Sequence, residues 1–245
     1  MLVPLVVAVV AAASPDAGFP PGRGVPPSVR AMLPDRKPGA ALPLFALGAP
    51  DLVEALGSLR VEVGAWAEYL LRSPDGTARM RFSLLPPKLE GGRYWLEVAA
   101  FSDVALPFAL RAVLLPGPVV AANMERATLY VLGQAPLEVP MDDLKEHVSR
   151  AAPAPSGARI SHGPTQTLST EAGRFKASEV RITARGETTR IWRSDQVPLW
   201  GLVRSKGPKE TIELVGFSRE GARSAIPEPG QPPPDQGKGK DSTNQ

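Results

Sequence analysis

Between Gly57 and Ser224, apolar and polar residues alternate in short runs divided by turn residues, the pattern of antiparallel sheet. In VEVGAWAEYLLR, Val61, Val63, Ala65, Ala67, Tyr69 and Leu71 share one face by the period of two. Glu62, Trp66, Glu68 and Arg72 share the other. The next residues, Ser73 to Gly76, read SPDG, with proline second and glycine fourth as a type I turn prefers. TARMRFSLLP therefore returns as the second strand of a hairpin, with Tyr69 facing Met80 and Glu68 facing Arg81. In RYWLEVAAF, Tyr94, Leu96 and Val98 alternate with Arg93, Trp95 and Glu97, a third strand.

The apolar spacing of LPFALRAVLLPG fits a short helix or another strand, and periodicity does not decide between them. ATLYVLG reads as strand. MDDLKEHVSR reads as helix, with Asp142 and Asp143 near its start and Arg150 at its end to suit the macrodipole. TQTLST, RFKASEVRITA, ETTRIWRS and TIELVGFS follow as four more strands joined by glycine-bearing turns. Within WRSDQVPLWGLVRS, Pro198 removes a ladder hydrogen bond and Gly201 frees the backbone, so the chain bends between Trp192 and Val203. The bend is expected to carry Trp200 across a groove mouth, with Val197, Leu199 and Leu202 as the floor of the corner. Arg193 and Arg204 are expected in solvent or against an anionic head group. The sum is a mainly β domain over 57–225, a strongly curved antiparallel sheet covered by one or two helices.

The flanks differ. MLVPLVVAVVAAA is uncharged, and Ala11 and Ala13 supply a small-x-small cleavage pattern, so residues 1–13 are expected to be a signal peptide. Residues 14–56 are proline-rich and read as an extended linker, and 226–245 as a disordered tail. An exported protein of the periplasm or extracellular space follows, with no stretch long enough for an integral membrane span. The chain has no cysteine, which excludes disulfides, thiolate metal sites and cysteine nucleophiles. Its formal charge of +3 is made of interspersed signs rather than a basic face, so no nucleic-acid partner is expected.

Catalytic motifs are missing. The two histidines, His147 and His162, lack the HExxH spacing of a zinc site, no GxSxG elbow occurs, and the GRG at Gly22 lies among prolines. Glu68 and Glu97 share the tryptophan-bearing face and could act as acid and base, but Arg79, Arg81 and Arg93 stand ready to pair with them. The expectation is no enzyme, no cofactor and no metal. Trp66 and Trp95 sit opposite the continuous apolar set and Trp192 alternates with Arg190 and Ser194. Such rings either pack under loops, helix or linker, or line a binding rim.

The succession GAWAEYLL, RMRFSLL, RYWLEV, TEAGRFKASEVRI, IWRSDQVPLWGLVRS and TIELVGF, over about Gly64 to Phe217, resembles the LolA-like superfamily of periplasmic lipoprotein carriers. The resemblance implies a half-barrel with helices as a lid over an apolar cavity that holds acyl chains. WRSDQVPLWGLVR would then be strand, corner and return strand at its rim, and Trp66, Tyr69, Trp95, Trp192, Leu199 and Trp200 are the candidate ligand contacts. The long proline-rich arm and charged tail depart from a dedicated carrier. Two functions remain open: a non-enzymatic envelope protein that binds a lipid or lipoprotein acyl chain, or a structural or protein-interaction module of the envelope with a self-filled core.

Overall fold

The computed structural model describes residues 59–225 except 75, 103–104, 118, 120–122, 132–134, 142–158 and 185. The expected signal peptide, linker and tail, and residues 142–150 of the expected helix with His147, lie outside the described residues.

The described residues form eleven strands: β1 Trp66–Ser73, β2 Gly76–Leu85, β3 Tyr94–Ser102, β4 Ala105–Leu114, β5 Met124–Val131, β6 Leu137–Val139, β7 Arg159–Thr170, β8 Gly173–Ala184, β9 Glu187–Arg193, β10 Leu202–Lys206 and β11 Thr211–Ser218. They make one open antiparallel sheet in the order β6-β5-β4-β3-β2-β1-β11-β10-β9-β8-β7. Two meanders, β1 to β6 and β7 to β11, are thus joined where the first strand pairs with the last.

The first hairpin has the register its alternation predicts, with Tyr69 opposite Met80, Glu68 opposite Arg81, and Ser73 opposite Gly76 at the turn. Its strand starts later than the alternation suggests, at Trp66, and Val61 is 47% exposed. The cause is Gly64, whose φ of +98° breaks the extended run and whose carbonyl accepts from the Ala222 amide. LPFALRAVLLPG is strand, not helix. Phe108, Leu110 and Ala112 pair with Ala100, Val98 and Leu96, and Pro107 falls at a register shift where no ladder amide is required.

One face of the sheet is continuously apolar. The row Ala67, Phe82, Val98, Leu110 and Leu129 runs across five adjacent strands, and none of the five exceeds 4% exposure. Each of the larger side chains contributes about 1.5–3 kcal/mol by burial. On the far side of β1, Leu71 meets Ile212 and Tyr69 meets Leu214, so the face continues into the second meander. Curvature shows in the β7–β8 hairpin. Its Ser169 carbonyl accepts from Arg204 Nη2 of β10 at 3.0 Å, and Phe175 meets the Phe217 ring of β11 at 5.7 Å. Because the hairpin folds back on strands that are not its neighbours, Phe175 and Ala177 are buried on one face of β8 and Val180 and Ile182 on the other.

Candidate functional site

The corner predicted between β9 and β10 is built from its own backbone. Ser194 N–H donates to the Gly201 carbonyl at 2.8 Å, and Gly201 N–H donates to the Pro198 carbonyl at 3.1 Å. Leu199 holds φ of +60° although it is not glycine, a conformation that costs about 1–3 kcal/mol and needs support from its surroundings. Arg60 supplies it. Its amide donates to the Leu199 carbonyl at 3.1 Å, and its guanidinium reaches the carbonyls of Leu199, Asp195 and Val197. Arg219 adds a bond to the Asp195 carbonyl at 2.8 Å, and Arg193 one to the Trp200 carbonyl at 3.1 Å. Three arginines from three segments therefore fix the corner, and Val197 and Leu199 are both 0% exposed.

Trp200 leaves this corner partly buried and meets the Phe82 ring edge-on, with centroids 5.4 Å apart. Phe82 in turn meets Tyr69 edge-on at 5.9 Å. The core cluster thus gathers Tyr69, Leu199 and Trp200 of the candidate set, and also takes in Trp192 from the other face of β9. Phe82, which links two of them, was not singled out in the sequence, although its register opposite Ala67 on the apolar face is readable from the hairpin alone. Two tyrosine hydroxyls end inside this core. Those of Tyr69 and Tyr94 are buried with no hydrogen-bond partner, an arrangement that costs about 1–3 kcal/mol per group. Burial pushes the Tyr69 pKa up, and that of Tyr94 up to about 12.

The other candidates lie on the opposite face, each beneath an arginine. Arg81 lies 4.1 Å from the ring centre of Trp66, Arg126 4.8 Å from Trp95 and Arg190 4.8 Å from Trp192. Trp192 is itself buried, while Trp66 and Trp95 are partly so. Glu68 pairs with Arg79 at 3.0 Å, as expected. Arg81 and Arg93 do otherwise: Arg81 stacks on Trp66, and Arg93 pairs with Glu125 at 3.2 Å.

Glu97 is not on a solvated surface, being 1% exposed, and its partner is Arg111 at 3.3 Å. Ser224 donates to the same carboxylate at 2.7 Å and the Ala225 amide at 2.8 Å. Ala225, like Phe101 and Tyr130, packs on Ala99 and Ala109, so residues 224–225 strap the outer face of β3 and β4. Arg204, expected in solvent, pairs with Glu213 at 3.0 Å.

Glu179, opposite Trp192, takes Arg181 at 2.8 Å and Arg190 at 2.5 Å. Hydrogen bonds from Arg181 and then Arg190 hold its pKa well down, at about 2. A Cβ on Gly163 would meet its Oε2 at 2.5 Å, so the bulge of β7 carries glycine where the carboxylate needs room. Among the described residues no three or more His, Asp and Glu gather to hold a metal ion, and no helix is long and apolar enough to cross a membrane. His162 is exposed on β7.

No protein-family model matches the chain, and no curated protein matches it. Solved structures similar to it do exist. MucB, crystallised with MucA(peri), is 10% identical over 75% of this chain with a TM-score of 0.41. The chain spans 58% of that MucB. The Pseudomonas aeruginosa MucA/MucB complex matches at 9% identity over 63% of this chain and 50% of that one, TM-score 0.39. A Bacteroides fragilis protein described as exported, with a YmcC-like fold, is 12% identical over 64% of this chain and 96% of its own, TM-score 0.33.

The side chains of the apolar face are buried, and the carboxylates Glu68, Glu97, Glu179 and Glu213 of the outer face each hold an arginine.

Proposed function

We propose that the chain is a non-enzymatic, exported envelope protein of LolA-like type that acts as a protein-interaction module, its apolar interior filled by its own residues. The observation that carries this reading is the corner 194–201: Val197 and Leu199 are 0% exposed there, and Arg60 ties their carbonyls down. An interior plugged by a pinned loop has no need of a lipid to cover it. The ligand for such a protein is then one that meets its outer face or the edge strands among the described residues, β6 and β7. Native mass spectrometry of the protein purified from its host is the test, run together with chemical cross-linking of intact envelopes. Bare polypeptide cross-linked through the outer face of β1 to β5 is expected; a retained lipid adduct, or no cross-linked protein, overturns the reading.

A second reading, an acyl-chain carrier, is favoured by one observation, the unpartnered hydroxyls of Tyr69 and Tyr94 within the apolar core. In that case an ester or head group supplies the missing partners, and of the candidate contacts Tyr69, Trp192, Leu199 and Trp200, which belong to the core cluster, line the acyl chain, whereas Trp66 and Trp95 lie on the far face of the sheet. Trp200→Ala then weakens uptake of a fluorescent fatty-acyl probe by about 1–3 kcal/mol while the fold persists. Absence of probe uptake by the parent protein rules it out.

A further inference from the structure

We propose that the outer face of β1 to β5 is a docking surface for an acidic, extended segment of a partner protein, with Arg81 and Arg126 as its two carboxylate hooks. This rests on the protein-interaction reading above and gives the partner its chemistry. On that face Glu68 holds Arg79 and Glu97 holds Arg111, whereas among the described residues no ion pair joins Arg72, Arg81 or Arg126 to a carboxylate, Arg81 feeling Glu68 and Glu97 only at longer range. The face therefore carries positive charge that its own acids leave unanswered. The rings beneath Arg81 and Arg126, Trp66 and Trp95, keep those guanidiniums flat against the sheet and ready to meet an anion.

A second observation points to a ligand at Arg81. Its Nε is buried without a partner, and so is the hydroxyl of Ser83, two residues along the same strand and 1% exposed. Native proteins rarely leave such donors unsatisfied. A carboxylate arriving at Arg81 turns the guanidinium towards it, gives Nε its acceptor and uncovers Ser83 as a further donor.

The face already takes up extended chain. Ser224 and Ala225 lie on it, held by a hydroxyl and an amide to Glu97 and by the Ala99 and Ala109 surface. Arg81 of β2 and Arg126 of β5 flank this strap. By strand spacing they stand about 14 Å apart across the sheet and about 13 Å along it, hence about 19 Å on the diagonal. An extended segment of about six residues spans that distance, with an acid at each end and its middle over the strap. Nucleic acid suits the site less well, because the tryptophan faces that would stack bases are covered by the chain's own arginines.

The test is fluorescence anisotropy of the full chain with a labelled peptide of alternating glutamate and threonine, and with its glutamine counterpart. Oligothymidylate of equal charge is the competitor. The acidic peptide is expected to bind at least about tenfold tighter than the neutral one, and to weaken about tenfold between 50 and 300 mM salt. The double variant Arg81→Gln, Arg126→Gln loses that preference, while Arg126→Gln alone, at an exposed position, loses part of it and keeps the parent circular dichroism. Equal binding of the two peptides, an unchanged double variant, or tighter binding of oligothymidylate overturns the proposal. If the acidic peptide fails but a cross-linked envelope protein maps to the β7 edge, this inference falls and the interaction reading stands; if no partner is found either, both fall.

Discussion

Glu97→Gln keeps the shape of a carboxylate that is 1% exposed and removes its charge. In the parent, its two oxygens take Ser224 Oγ at 2.7 Å, the Ala225 amide at 2.8 Å, and Arg111 through Nη2 at 3.3 Å and Nε at 3.4 Å. Glutamine has a single acceptor oxygen, so its amide nitrogen must face either Arg111 or the strap. Breaking a buried pair by removing one partner costs about 3–5 kcal/mol. Arg111 is 12% exposed and keeps its Ser224 contact at 2.9 Å and the Tyr130 ring at 4.7 Å, so part of that loss is recovered. A net destabilisation of about 2–3 kcal/mol is expected, read as a lower urea midpoint at constant slope. Removing both charges, in Glu97→Gln with Arg111→Gln, should cost less than the sum of the single changes by about 1–2 kcal/mol. Trypsin reads the strap directly, because cleavage after Arg223 requires Ser224 to leave the carboxylate. Faster cleavage there should accompany the loss in stability. A change below about 0.5 kcal/mol with unaltered cleavage would show that Glu97 neither anchors the strap nor balances Arg111.

Three further outcomes are expected. Burial pushes the Glu210 pKa up to about 7, so its folded state favours the protonated acid; its contribution is fully present below the usual carboxylate pKa and is lost as pH rises through 7. Glu210→Gln should therefore raise stability at pH 8 by about 1 kcal/mol, discounted for partial exposure, and leave it unchanged at pH 4, by thermal melting. Glu179, whose pKa is held at about 2, works in the opposite sense: its pairs stabilise the fold above the ordinary carboxylate pKa and fade as pH falls towards 2. Arg181 and Arg190 are 44% and 43% exposed, so salt trims the effect, and Glu179→Gln should flatten the acid limb of a pH–stability curve. Gly201→Ala places a Cβ 2.8 Å from the Ser194 carbonyl at φ of +73°, and a loss of about 1–3 kcal/mol is expected from denaturant unfolding.

The register of the first hairpin and the corner were legible because each follows from neighbours in sequence: alternation, a turn motif, a proline. Position 97 was not legible. Its partners lie 14, 127 and 128 residues away, and an alternating glutamate on a sheet looks the same in sequence whether solvent or a returning strap covers it. LPFALRAVLL resisted for another reason, since Ala109 and Val113 on its second face are also buried, so a double-sided strand imitates helical spacing. Of the candidate contacts, Tyr69, Leu199 and Trp200 share the core cluster with Trp192, which is buried although it faces outward on β9, while Trp66 and Trp95 lie on the outer face. Parity along each strand already separated the first tryptophans from the apolar set. What parity could not supply was the arginine that covers each ring, from the adjacent β2 for Trp66 and from β5, two strands away, for Trp95.

The pairing of β1 with β11 has a mechanical meaning. The chain enters the sheet at Trp66 and leaves it at Ser218, and these two residues are partners, with Gly64 bonded to Ala222 at 2.7 Å and Glu62 to Arg219 at 2.7 Å just outside. Tension applied between the two ends must first lift Ser224 and Ala225 from Glu97 and Arg60 from Leu199, and then falls on that single point. It breaks the outer pair first, then peels β1 from β11 one rung at a time, instead of loading every rung at once as shear would. Because the seam lies in the middle of the sheet, tearing it parts one meander from the other and bares Tyr69, Leu71, Ile212 and Leu214 together. A protein tethered at both ends across a moving envelope would thus yield at low force, and do so by opening its core.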